Sequence, residues 1–213
     1  EDSDLVSVPN GIQIKSIYLK SDPGHSYTKA YLGNAGIALI EKNLLEKIPQ
    51  PKNIKSSSLF HHLVKKTFDK NIRVFSYNTS EYIKDMGTPN RFKQIESDLK
   101  NNLVSIKNYK NKQKALFLDR DNTLINCNQG QYILNENKLT FLDSNIEKIA
   151  KYSQKFNLVC IVTNQPQVSM GILSIDRLDL INAFLIKYCL DKDLKIDLVT
   201  FCPHHPHNGF DNE

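Results

Sequence analysis

Residues 115–118, Ala-Leu-Phe-Leu, form an apolar run that stops abruptly on two carboxylates, Asp119 and Asp121, one residue apart. An uninterrupted run of this kind has the composition of a strand covered on both faces, as in a parallel sheet. Side chains two apart on extended backbone point the same way. The pattern therefore predicts a pair of acids at the carboxyl end of a buried strand, the edge where open α/β sheets bind their ligands. A solvated acidic turn closing the strand is the plainer alternative.

The same layout returns downstream. Leu158-Val-Cys-Ile-Val162 is a second apolar run and ends in Thr163-Asn164-Gln165. A third strand, Asp197 to Phe201, leads into Cys202-Pro-His-His205. Helix signals lie between the strands. Ser144-x-x-Glu147 has capping-box form, with Ile146, Ile149 and Ala150 as an apolar stripe. A further helix is predicted from Ser174, with Leu178, Ile181, Leu185 and Tyr188 at helical spacing. Residues 114–201 thus read strand, helix, strand, helix, strand. That alternation predicts right-handed crossovers and a mainly parallel, doubly wound sheet of the α/β class.

The first hundred residues carry a different signal. Thr88 is placed to cap a helix, Pro89 fits its first turn, and Phe92, Ile95 and Leu99 make its expected apolar face. The formal charge of +5 divides unevenly, residues 1–113 carrying +7 (18 Lys and Arg against 11 Asp and Glu) and residues 114–213 carrying −2 (10 against 12). The lysines are scattered, which argues for a solvated basic surface and against nucleic-acid binding. The four cysteines, at 127, 160, 189 and 202, show no disulfide-framework spacing and suit a reducing cytoplasm. No apolar stretch reaches membrane-spanning length.

Asp119-x-Asp121-x-Thr123 after an apolar strand resembles the first motif of the haloacid dehalogenase-like (HAD-like) phosphatases. Thr163, with Asn164 and Gln165, resembles the second. The resemblance implies that Asp119 is the nucleophile, forming an aspartyl-phosphate, and that Asp121 is the general acid and base. It also implies Mg²⁺ held by the Asp119 carboxylate, the backbone carbonyl of Asp121 and a later acidic residue beyond 213. Thr163, Asn164 and Gln165 would bind the transferring phosphoryl group. Asn128, Gln129, Gly130 and Tyr132 align with a substrate-contacting loop of the family. Cys202-Pro-His204 is similar to the zinc loop of the heptose bisphosphate and histidinol phosphate phosphatases, where a later Cys-x-Cys completes a structural Zn²⁺ site.

Upstream, Asn34-Ala-Gly36-Ile-Ala-Leu-Ile resembles the central strand of sugar-1-phosphate nucleotidyltransferases. Asp85 matches their second metal-binding carboxylate, for Mg²⁺, and Asn34 to Gly36 lie where the sugar is contacted. The nucleotide-binding Gly-rich loop and the first metal Asp of that family are absent, so the chain reads as a fragment. The expectation is a partial nucleotidyltransferase α/β domain over 1–100, a polar linker over 101–113, and a partial HAD-like Rossmannoid domain with a mainly parallel sheet over 114–213. Sugar phosphates would be the substrates of the second part, and a nucleotide sugar would be the product of the first.

The chain departs from the family at Ser169-Met170-Gly171, where relatives commonly carry Ala-Arg-Gly, and at Asn122, where Gly is usual. Three readings follow. One is a phosphatase acting on D-glycero-D-manno-heptose 1,7-bisphosphate, fused to a nucleotidyltransferase, with this segment inactive by itself. The second takes histidinol phosphate as substrate. The third is a non-catalytic binding or scaffold chain that keeps the folds.

Overall fold

The computed structural model describes residues 4–9, 12–20, 30–47, 67, 72–128 and 130–207. Two compact units emerge from the chain's contacts, Glu1–His25 with Leu32–Asn78, and Ser26–Tyr31 with Thr79–Glu213. Among the described residues no helix is long and apolar enough to cross a membrane.

In the first unit, β1 (Leu5–Ser7) lies between β2 (Ser16–Tyr18) and β3 (Leu32–Gly33), antiparallel to both. Val6, Val8 and Ile14 form its small core, with Ile17, Leu32 and Val74 packed against them. A short helix, α1 (Lys42–Lys47), follows. The strand expected over Asn34 to Ile40 does not form. Asn34 Oδ1 accepts a hydrogen bond from the Gly36 amide at 2.9 Å, and Gly36 has φ of 73°, so a turn takes the chain out of the sheet after Gly33. Ile37 and Leu39 are then exposed. An apolar run becomes a strand only where a neighbour supplies ladder partners, and none does so here among the described residues.

The second unit contains α2 (Pro89–Lys100), α3 (Leu103–Ile106) and an α/β core. Thr88 caps α2 as predicted, its Oγ1 accepting from the Arg91 amide at 3.3 Å. The expected apolar face points the other way: Phe92 and Leu99 are 51% and 57% exposed. The helix instead buries Asp98, which accepts from the Tyr82 hydroxyl (2.7 Å) and Gln94 Nε2 (2.8 Å). These bonds hold the Asp98 carboxyl below its usual range. Burial, then Asp98, push the Tyr82 phenol up to about 12.

The stretch 101–113, expected as a polar linker, is attached to the sheet. Lys107 Nζ donates to Asp197 Oδ1 (2.9 Å) and to the Asn157 carbonyl (2.5 Å), and both charged side chains are nearly buried, at 12% and 6% exposure. Asp197 Oδ2 accepts from the Val159 amide at 3.0 Å. Lys107→Met leaves that carboxylate short of its buried partner. It is expected to cost about 2–3 kcal/mol, since breaking one side of a buried pair strands the other. A urea melt with an unchanged midpoint would contradict this attachment.

The sheet is parallel, in the order β4 (Ala115–Leu118), β5 (Leu158–Asn164), β6 (Leu198–Cys202). Leu118 faces Ile161 across the ladder, and Asn164 faces Cys202. Helices α4 (Asp143–Ser153) and α5 (Ile175–Asp191) link the strands. Ser174 caps α5 through the Arg177 amide at 3.2 Å, as predicted. The capping box at Ser144 does not form; Leu142 is the cap residue, and Ser144 falls inside the first turn of α4. The preceding loop decides this. The Leu142 amide donates to the Leu124 carbonyl, and Asp143 accepts from the Tyr188 hydroxyl at 2.7 Å.

Leu118, Val159 and Ile161 share one core with Ile146 and Ala150 of α4 and Leu185 and Cys189 of α5. Both helices therefore cover the same face. The other carries Phe117, Val162 and Leu198 at 68%, 45% and 48% exposure. The expected double winding is not present among the described residues. Two successive crossovers of one hand, stepping the same way along the sheet, put their helices on one side.

Candidate active site

The strand-end acids stand where the sequence placed them. Asp119 follows β4 directly, is exposed, and accepts the Arg120 amide on Oδ1 at 2.7 Å. A tight turn then secures the chain: the Leu124 and Ile125 amides both donate to the Arg120 carbonyl, and the Asn122 amide donates to Ile125. Leu124 and Ile125 are fully buried and anchor it. Asn122 has φ of 60°, a left-handed conformation that Asn tolerates better than most residues.

Asp119, Asp121, Val162, Thr163 and Asn164 line one cleft of about 230 Å³. β5 supplies the opposite wall because its register carries Thr163 and Asn164 past the end of β4. Thr163 is 4% exposed, and its hydroxyl lies 3.4 Å from Asp121 Oδ2. Gln165, placed by the sequence among the phosphate ligands, is 1% exposed with its groups engaged elsewhere. Its Nε2 donates to Asp121 Oδ2 and to Thr163 Oγ1, both at 2.9 Å, and its backbone amide donates to the Cys202 carbonyl. Gln165 supports the cleft from behind.

The loop after the turn brings further candidates near. Asn128 is exposed and donates from Nδ2 to Gln131 Oε1 at 3.2 Å; Gly130 has φ of 76°. Tyr132 reaches across to Met170, hydroxyl to sulfur, at 3.8 Å. Gln129 lies outside the described residues. Asn34 and Gly36 belong to the first unit, where they form the turn described above. Asp85, in the second, is exposed and engages the Arg91 guanidinium and the Gly87 amide.

Cys202 ends β6 beside Asn164, and its Sγ lies 3.6 Å from His204 Nδ1. Hydrogen bonding from His204 pulls the Cys202 thiol below its usual range. Burial pushes Cys189 up to about 12 and raises Cys160, so both behave as core residues. Among the described residues no three His, Cys, Asp or Glu side chains gather into a metal site. Asp119 with Asp121, and Cys202 with His204, are pairs.

The residue the sequence reading missed is Arg120, which is 1% exposed. Burial pulls its guanidinium down from the usual value, while the adjoining Asp121 carboxylate acts in the other direction. Strand parity carried the signal. Leu116 and Leu118 face the helix-covered core, and Arg120 continues that alternation inward as the two acids turn toward the cleft.

A parallel sheet with helices on one face and two carboxylates at a strand's end make this an α/β unit with its cleft at the carboxyl edge of the sheet. Among curated proteins, the chain is similar to the D-glycero-beta-D-manno-heptose-1,7-bisphosphate 7-phosphatase of Pasteurella multocida, 32% identical over 93 residues, 44% of this chain and 50% of the relative. The protein of the same name from Pseudomonas aeruginosa is 32% identical over 99 residues, 46% and 55% of the two chains. The chain thus spans about half the length of the curated relatives it matches. A crystal structure of D,D-heptose 1.7-bisphosphate phosphatase from B. bronchiseptica, complexed with magnesium and phosphate, is 23% identical with a TM-score of 0.40, covering 46% of this chain and 54% of that one. No family model matches the chain.

Proposed function

We propose that residues 114–213 form the nucleophile-bearing part of a phosphatase that acts on a sugar bisphosphate, D-glycero-D-manno-heptose 1,7-bisphosphate. The observation that carries this reading is the shared cleft of Asp119, Asp121, Thr163 and Asn164 at the strand ends. Its likeness to heptose bisphosphate phosphatases supports the substrate class.

In this reading an Asp119 carboxylate oxygen attacks phosphorus, and the bond from phosphorus to the sugar oxygen breaks. That oxygen takes a proton from Asp121. Asp121, now a carboxylate, removes a proton from water, whose oxygen attacks phosphorus. Inorganic phosphate leaves and Asp119 is regenerated. The Thr163 hydroxyl stabilises the phosphoryl oxygens. The hard oxygens of Asp119 and of the Asp121 backbone would hold Mg²⁺, which would neutralise charge on the phosphoryl group.

The Cys202 and His204 pair suits zinc. Bonds of about 2.3 Å to sulfur and about 2.0–2.1 Å to nitrogen in a tetrahedral site separate two such ligands by roughly 3.5 Å, close to the 3.6 Å between these atoms. Zinc held there with two later ligands would be structural, bracing the loop that follows β6. Cys202→Ser in the full-length protein is expected to lower zinc content well below one per chain by elemental analysis; undiminished zinc would contradict the assignment. The nucleotidyltransferase reading of residues 1–100, with its nucleotide sugar and an Mg²⁺ ligand at Asp85, rests on the sequence resemblance alone.

The test is phosphate release by the full-length protein from D-glycero-D-manno-heptose 1,7-bisphosphate and from histidinol phosphate, side by side. The bisphosphate should be preferred. Preference for histidinol phosphate, or turnover of neither, would overturn the reading.

A further inference from the structure

Arg120 is among the largest fully buried side chains of the chain, and it is a charged one. A guanidinium carries five N–H donors and cannot shed its charge in practice, so its burial demands acceptors at fixed positions. They are present. Nε donates to Asp121 Oδ2 (3.2 Å), and Nη2 donates to Asp121 Oδ1 (3.2 Å) and Oδ2 (3.1 Å). Nη2 also donates to Gln165 Oε1 (2.6 Å), and Nη1 to Asn182 Oδ1 of α5 (3.3 Å). Gln165 is itself fixed by Gln167, whose Nε2 donates to the same Oε1 at 2.5 Å. Gln167 and Asn182 are both 2% exposed.

The Asp121 carboxylate therefore meets a fork from behind and a second donor, Gln165 Nε2, alongside, while its open side lines the cleft. Asp121 is 22% exposed where Arg120 is 1%. The guanidinium has no path to a bound phosphate ester, and any effect on the reaction runs through Asp121. A paired geometry of this kind fixes direction as well as position.

We infer that Arg120, braced by Gln165, Gln167 and Asn182, is the positioning residue for Asp121, holding its carboxylate in the one orientation from which it exchanges a proton with the leaving oxygen. This rests on the phosphatase reading and adds a residue to it. A positioning role has a signature that a structural role lacks: in the step that forms the aspartyl-phosphate, which kcat/KM reports, the loss appears only where Asp121 is needed as an acid, whereas its later work as a base is common to all esters. A sugar alkoxide leaves with a proton; a nitrophenolate leaves without one.

The experiment compares wild type, Arg120→Met, Arg120→Lys, Asp121→Asn and the double variant Arg120→Met/Asp121→Asn in the full-length protein. Substrates are the sugar bisphosphate and p-nitrophenyl phosphate, and folding is followed by circular dichroism. Arg120→Met should lower kcat/KM on the sugar ester by about 10–100-fold, a share of the acid's own contribution, with a much smaller loss of kcat/KM on the aryl ester. Arg120→Lys should recover part of the sugar-ester rate. In the Asp121→Asn background, Arg120→Met should add no more than about threefold, because residues acting as a unit are not additive. If Arg120→Met does not fold, Gln165→Leu removes the second donor and should show the same dependence on leaving group. Equal losses of kcat/KM on both esters in a folded variant, or a full additive loss in the double variant, would overturn the inference while leaving the phosphatase reading intact. A wild-type protein inactive on both esters would overturn both.

Discussion

Asp119→Asn in the full-length protein is expected to abolish phosphate release from the sugar bisphosphate, by roughly 10⁴-fold or more, the scale on which losing a nucleophile acts. The amide is isosteric but cannot form the acyl-phosphate. The fold should be indifferent. Asp119 is exposed, and the hydrogen bond its Oδ1 accepts from the Arg120 amide is one that an Asn oxygen also accepts. The thermal midpoint should therefore correspond to a change within about 0.5 kcal/mol, as for surface substitutions generally. Activity within tenfold of wild type would remove Asp119 from its role.

Asp121→Asn should differ in kind. The rate on a sugar ester should fall by about 10²–10⁴-fold, the range that a positioned acid or base contributes. Stability should fall too, by about 2–3 kcal/mol, because the Arg120 guanidinium is left buried beside a neutral amide. Arg120→Met in the same chain should restore part of that stability, since removing both members of a buried pair costs less than stranding one. A differential scanning measurement of the three variants separates these outcomes. Equal midpoints throughout would mean that the buried fork contributes little.

Much of the α/β unit was legible in the chain because local and tertiary signals coincide there. Ala115–Leu118 and Leu158–Val162 are apolar throughout, and each gives way to the small polar or acidic residues that mark the carboxyl edge of the sheet. The helix read from Ser174 begins there, the Ser174 hydroxyl accepting from the Arg177 amide. The misreadings share one cause, which is that a periodic pattern does not say what lies opposite. The stripe Phe92, Ile95, Leu99 has helical spacing, yet α2 turned Asp98 inward, where Tyr82 and Gln94 satisfy it. Ser144 lost its cap because Leu142 was already held by Leu124, a partner set by the turn after Asp121.

The strand-end placement of Asp119, Asp121 and Thr163 was legible, because each stands directly after an apolar run. The burial of Arg120 was missed, since an arginine between two acids in sequence reads as a solvated charge unless the parity of Leu116 and Leu118 is carried on to it. Its burial depends on Gln165, Gln167 and Asn182, and on α5 packing over the sheet. Gln165 shows the converse. Its place after Thr163 and Asn164 suggested a ligand to phosphate; in the structure four polar partners, Arg120, Asp121, Thr163 and Gln167, engage its side chain.

The measurement that bears most directly on the central claim is the covalent state of Asp119 during turnover. Full-length protein mixed with the sugar bisphosphate and Mg²⁺, quenched in acid within milliseconds and digested, should yield the peptide containing Asp119 carrying one phosphoryl group. Hydroxylamine should release that group, as it does from an acyl-phosphate, and Asp119→Asn should not acquire it. Steady phosphate release with no phosphoryl group on Asp119, or with the group on another residue, would contradict the account.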